Sequence, residues 1–169
     1  MNTTEINQAE SVTILKTGTC PSLSGKSTLT YNIGANAAAE IQFQLLANDG
    51  GGYFNNDWIP FIGIQEVLDQ LPNSQEITSG TMRSIYPSKS TNSPGFLLAV
   101  LKSIGIVQTS KSNPRCYELL DSTAFMAEVN ELLETSPDIA MAATANATVT
   151  RKKLSLKDKP IRDKSGPSE

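Results

Sequence analysis

The sequence predicts an α+β fold: an N-terminal three-stranded antiparallel sheet packed with a helical unit that ends in a β-hairpin, then a C-terminal helix and a disordered basic tail. Three observations predict it. Between Ser11 and Ala47 apolar residues alternate with polar ones, as in strands that bury one face. Beyond Asp57 apolar residues recur at helical spacing instead. After Thr135 the composition shifts to Ala, Thr and Asn, then to Lys, Arg, Pro, Gly and Ser, which cannot bury enough apolar surface to order itself.

The chain has 169 residues, 38% of them hydrophobic, enough for a modest core. Residues 1–10 are expected to form a flexible N-terminus. They carry neither the basic start nor the apolar centre of a signal peptide, and no apolar run approaches the roughly 18 residues of a membrane span. A cytoplasmic location without a membrane partner is expected.

Residues 11–56 form the β region. Val12 and Ile14 lead the first strand; Leu29, Tyr31 and Ile33 alternate with Thr28, Thr30 and Asn32 in the second; Ile41, Phe43 and Leu45 alternate with Gln42 and Gln44 in the third. Gly18, Pro21 and Gly25 break the first pair, and Gly34-Ala35-Asn36 the second. Asn48-Asp49-Gly50-Gly51-Gly52 reads as a flexible connector.

Residues 57–121 form the helical unit. Asp57 caps a helix with Pro60 in its first turn, an apolar stripe of Ile64, Val67, Leu68 and Leu71, and a stop at Pro72-Asn73. A short helix over about 79–86 turns Met82 and Ile85 inward. Ser93 is an N-cap with Pro94 at the first helical position; Leu97, Val100, Leu101 and Ile104 follow at helical spacing, and Gly105 is a left-handed stop. Ile106 to Thr109 and Cys116 to Leu119 pair as a hairpin. A helix over 122–134, with Phe125, Val129, Leu132 and Leu133 on one side, closes the core or pairs with a second copy. Residues 135–169 are linker and tail.

The net charge of −3 hides a division. Residues 1–150 hold seven Lys/Arg against fourteen Asp/Glu, whereas residues 151–169 hold seven against three. Within the acidic part, Thr78 to Cys116 contains five basic residues and no acidic one. Local patches of this kind govern nucleic-acid contact more than net charge does.

The chain has no histidine, and its two cysteines, Cys20 and Cys116, lie far apart. The usual zinc sites and every histidine-based mechanism are thereby removed, and no cofactor or metal is expected. The cysteines read as buried free thiols. Cys20-Pro21-Ser22-Leu23-Ser24-Gly25-Lys26-Ser27-Thr28 is similar to a nucleotide-binding P-loop around Lys26, but Cys20 stands where glycine is needed and a strand pattern follows where a helix should open. A hairpin turn is the reading. Glu66 and Asp69 share a helix face as solvated surface, not as an acid/base pair.

The order of a first helix, a short helix, a helix opening at Asn92-Ser93-Pro94 and a hairpin around Ser110 to Pro114 resembles the winged helix-turn-helix domains. The resemblance implies that the third helix and the wing meet nucleic acid, double-stranded DNA favoured over RNA, in a regulatory or mobile-element setting and without enzymatic activity. Lys89, Ser90, Thr91, Asn92 and Ser93 would then contact phosphates at the helix N-terminus, where the helix dipole attracts anions. Arg83, Lys102, Lys111 and Arg115 would add charge from the helices and the wing, and Arg151, Lys152, Lys153 and Lys157 from the tail. The chain departs from the family in Pro94-Gly95-Phe96-Leu97-Leu98-Ala99, apolar where recognition helices carry polar residues, so base readout would be limited. The alternative is a protein-interaction or assembly module that uses this apolar start, or the 122–134 helix as a homodimer seam.

Overall fold

A computed structural model describes residues 11–72, 76–86 and 90–136. Four strands run as an antiparallel meander in chain order: β1 (Thr13–Pro21), β2 (Thr28–Ala35), β3 (Ile41–Asn48) and the two-residue β4 (Ile59–Pro60). There follow α1 (Phe61–Asp69), a 3₁₀ turn (Thr81–Ile85), α2 (Ser93–Ser103), the hairpin of β5 (Val107–Thr109) and β6 (Tyr117–Leu119), and α3 (Thr123–Thr135). The chain is α+β, with a sheet of four strands where three were expected.

The two-residue periodicity of the first half is realised as two chemically distinct faces. Leu29, Tyr31 and Ile33 of β2 and Ile41, Phe43 and Leu45 of β3 are buried on the inner face. On the outer face a ladder of amides crosses the strands: Thr17 Oγ1 donates to Asn32 Oδ1 at 2.7 Å, Asn32 Nδ2 to Gln44 Oε1 at 3.1 Å, and Gln44 Nε2 to the Asn56 carbonyl at 3.0 Å. Asn32 is buried, yet each of these groups finds a partner, which removes most of the cost of taking an amide out of water.

Two local expectations are corrected here. Gly18 does not break β1; it lies within the strand opposite Tyr31, because a Cβ there would sit 2.6 Å from the tyrosine ring. The irregularity in β1 falls instead between Ile14 and Lys16, where the register with β2 shifts by one residue. Asp57 does not cap α1: Ile59 and Pro60 are extended and pair with Phe43 and Gln42, so the helix starts at Phe61. Burial of Ile59 beside β3 outweighs the capping preference of Asp57.

In the second half Gly105 has φ +80°, the left-handed geometry expected after α2. The hairpin pairs Val107 with Leu119 and Thr109 with Tyr117. Ile77 adds a one-residue bridge to the other edge of β6, its N–H donating to the Tyr117 carbonyl at 2.9 Å and its carbonyl accepting from Tyr117 N–H at 2.8 Å.

One cluster of buried side chains runs through sheet and helices together. Phe43 of β3, Phe61 of α1 and Phe125 of α3 meet with ring centroids 5.7 Å (Phe43 to Phe61), 5.9 Å (Phe43 to Phe125) and 5.4 Å (Phe61 to Phe125) apart, joining three elements at one point. Lys16 of β1 forms an ion pair with Glu128 of α3. At the centre lies α2, with Leu97, Leu98, Ala99, Val100 and Leu101 all buried. Five consecutive residues cover more than a full turn, so this helix is enclosed on every side. It approaches β1, β2 and β3, and also the 3₁₀ turn and β5.

Paired glycine substitutions test this packing. Gly18→Ala is expected to lower stability by about 1–3 kcal/mol through its clash with Tyr31. Gly63→Ala, in α1 with open space around its Cβ position, is expected to raise it by about 0.5–1 kcal/mol. Chemical-denaturation midpoints of the two variants report both effects.

Candidate functional site

The residues before and at the start of α2 were expected to face phosphates, and the structure turns two of them inward. Ser93 is 0% exposed and Ser90 7%. The Ser93 hydroxyl accepts the Asn55 N–H at 2.7 Å and donates to Ser90 Oγ at 2.8 Å; Ser90 Oγ in turn donates to the Tyr53 carbonyl at 3.4 Å. Asn92 Nδ2 also donates to the Tyr53 carbonyl, at 2.9 Å. These side chains pin the segment after the glycines, Tyr53 to Asn55, onto α2. The tertiary contact prevails over capping: Ser93 is the first helical residue, and Asn92 occupies the cap position without a side-chain cap bond. Thr91 and Asn92 remain at the surface.

The enclosure of α2 also decides how nucleic acid could be met. A helix that reads bases must lay one face in the major groove. The middle of α2 has no free face, and Leu98, within the apolar start that an assembly module would use, is fully buried.

The hairpin keeps its cations outside. Lys111 and Arg115 are exposed in the loop between β5 and β6, Arg83 is exposed on the 3₁₀ turn, and Lys102, exposed near the end of α2, holds its Nζ 5.8 Å from the centroid of the Tyr117 ring. Local bonds shape the loop: Ser110 N–H donates to the Cys116 carbonyl at 2.8 Å, and Asn113 Oδ1 accepts from Arg115 N–H at 3.1 Å. Two carboxylates brace it from beneath. Glu76 accepts from Ser112 Oγ at 3.1 Å and Asn113 Nδ2 at 3.3 Å, and Glu118 accepts from Ser110 Oγ at 2.7 Å.

The Cys116 thiol, then the Ser112 hydroxyl, hold the Glu76 carboxyl below the usual carboxylate range; the same carboxylate pushes the Cys116 thiol up. A raised thiol is a poor nucleophile, and burial raises Cys20 likewise. Both cysteines are free and buried. Among the described residues no group of His, Cys, Asp and Glu could hold a metal ion, and no helix is long and apolar enough to cross a membrane.

Among the described residues Lys16 with Glu128 is the sole ion pair. Lys26, Arg83, Lys102, Lys111 and Arg115 therefore form no salt bridge among the described residues, although Lys111 lies close enough to Glu118 to help the Ser110 hydroxyl hold its carboxyl below the usual range. Of the remaining predicted contacts, Lys89, Arg151, Lys152, Lys153 and Lys157 lie outside the described residues, as do residues 1–10 and nearly all of 135–169.

A second site joins two segments that the sequence analysis treated separately. The turn around Lys26 is a β-hairpin turn, closed by Ser22 N–H to the Ser27 carbonyl at 2.8 Å and leading into β2, so the helix that a P-loop requires does not follow. The turn forms one wall of a cleft of about 410 Å³; Asn48, Gly50 and Gly51 form a second, and Thr91, Asn92, Gly95 and Phe96 a third. Lys26 and the start of α2, each singled out for anion-attracting chemistry, thus face a common space. Ser79 and Asn48 complete the lining and carried no signal of their own in the sequence.

No family model, no curated protein and no solved structure matches this chain.

The internal role of Ser93 is testable. Ser93→Ala leaves the buried Asn55 N–H without its acceptor and is expected to cost about 1–3 kcal/mol. Amide exchange at Asn55 should quicken at the same time; unchanged stability and exchange would show that the hydroxyl does not hold the segment.

Proposed function

We propose that this chain is a non-enzymatic nucleic-acid-binding module, double-stranded DNA favoured over RNA, that grips phosphates from the edge of a winged-helix-like unit. The β5–β6 hairpin is the wing of that reading, and Lys102, Lys111 and Arg115 are its phosphate contacts, with Arg83 on the 3₁₀ turn adding charge. One observation carries it: Lys102, over the Tyr117 ring, and Lys111 and Arg115 in the loop remain exposed and outside any salt bridge at one hairpin, on a body whose described residues hold six Lys/Arg against eleven Asp/Glu. The hydrogen-bonded loop presents Lys111 and Arg115 from a braced frame, which lowers the entropy lost on binding.

The contacts would be to backbone, since the enclosed α2 leaves no helix face for base edges. Phosphate contacts position a protein on a duplex without selecting sequence. Affinity should therefore be modest, indifferent to sequence and strongly dependent on salt.

Fluorescence anisotropy on random-sequence duplex DNA tests the proposal, using the full chain and a version ending at Thr150. Three phosphate contacts predict a log–log salt slope of about −2.7 for the shorter version, or roughly a 40-fold loss of affinity between about 50 and 200 mM salt. Lys111→Glu with Arg115→Glu should reduce binding to background. Unaltered affinity in that double variant would overturn the proposal, and binding present only with the tail would assign the contact to residues 151–169.

A further inference from the structure

The cleft between the Lys26 turn and the start of α2 has no part in the hairpin reading, and its chemistry points to a ligand of its own. Its volume, about 410 Å³, lies in the range of small-molecule sites. No carboxylate lines it, on a chain where acidic residues outnumber basic ones. Its one cation, Lys26, has no acidic partner among the described residues. The hydroxyls of Ser27, Ser79 and Thr91, drawn from three separate segments, border the same space and carry no side-chain hydrogen bond to the described residues.

The remaining lining is of a different kind. Leu23, partly exposed, and Phe96, half-buried and set edge-on to Phe54 at 6.2 Å, supply apolar surface within the same cleft. Beside it, Tyr53 is 76% exposed while its carbonyl is held by Asn92, a residue of the cleft wall. A cation with unspent hydroxyl donors suits a phosphate; apolar and aromatic surface next to it suits a flat organic group.

We propose that this cleft binds a phosphate monoester of nucleotide size, its phosphate on Lys26 and the hydroxyls of Ser27 and Thr91, its base against Leu23, Phe96 or Tyr53. The shared chemistry has two sources, a free nucleotide or the terminal 5′-phosphate of a nucleic-acid strand. The site is independent of the hairpin, and it needs no P-loop helix, because side chains of the turn and of the residues ahead of α2 supply the donors.

The test follows backbone amide shifts of the full chain by NMR during titration with AMP, adenosine, a 5′-phosphorylated tetranucleotide and its 5′-hydroxyl form. AMP or the phosphorylated strand should shift amides in all three walls: Ser24 to Ser27, Gly50 to Gly51, and Thr91 to Gly95. Adenosine and the hydroxyl form should bind at least about tenfold more weakly. Lys26→Met, a change at an exposed turn, should weaken AMP or phosphorylated-strand binding by about tenfold or more without altering the melting temperature.

Lys111→Glu with Arg115→Glu should leave cleft binding intact, which separates this site from the hairpin. Tight AMP binding identifies a free nucleotide as the source, and binding of the phosphorylated strand alone identifies a strand end. Equal binding of AMP and adenosine, unchanged affinity in Lys26→Met, or no shift in the three walls at roughly 10 mM of either phosphorylated ligand would overturn the proposal.

Discussion

The enclosure of α2 is the constraint on which the rest of this structure depends. A helix with buried residues all round must be covered on every side, and no single layer can do that. The N-terminal sheet covers α2 from one direction, and the 3₁₀ turn and β5 approach it as well. The sheet gains its own partner in the same contact, since the inner faces of β2 and β3 would otherwise expose Leu29, Ile33, Phe43 and Leu45 to water. The aromatic cluster of Phe43, Phe61 and Phe125 fixes the remaining two helices to this arrangement.

That constraint redistributes function. A helix at the centre of the core is unavailable for groove reading, so the two proposed sites lie on what the core leaves outside, and they differ in kind. The hairpin carries exposed cations, as the proposed contact with an extended polyanion requires; the cleft has one cation with hydroxyl and apolar walls, as the proposed discrete ligand requires. Ser90 and Ser93, ahead of and at the start of α2, serve neither surface directly. They tie the segment after the glycines to the helix and so place one rim of the cleft.

Much of this architecture was legible in the sequence, and the failures have physical causes. Alternation located β1, β2 and β3, and Pro94 with Gly105 bracketed α2, because these signals are local. Gly18 was misread as a breaker since its reason is a ring on the neighbouring strand, which no local pattern reveals. The pairing of Ile59 and Pro60 with β3 was hidden for the same reason, and Asp57 looked like a cap in its absence. The spacing of Leu97, Val100, Leu101 and Ile104 suggested a one-sided stripe, whereas the apolar residues between them close the helix on its other sides. Ser90 and Ser93 were placed outside because hydroxyls usually are; their partners, Tyr53 and Asn55, come from a distant segment. The meeting of Lys26 with Thr91 likewise exists only once the β1–β2 turn folds against α2.

Native-state hydrogen exchange under increasing denaturant would test the shared core most directly. If α2 joins sheet and helices, the amides of Leu97 to Leu101 and those of β2 should exchange only through global unfolding, with one common free energy. Exchange of α2 through an opening that leaves β2 protected would contradict the account, since the helix would then have a face free of the sheet and open to a nucleic-acid groove.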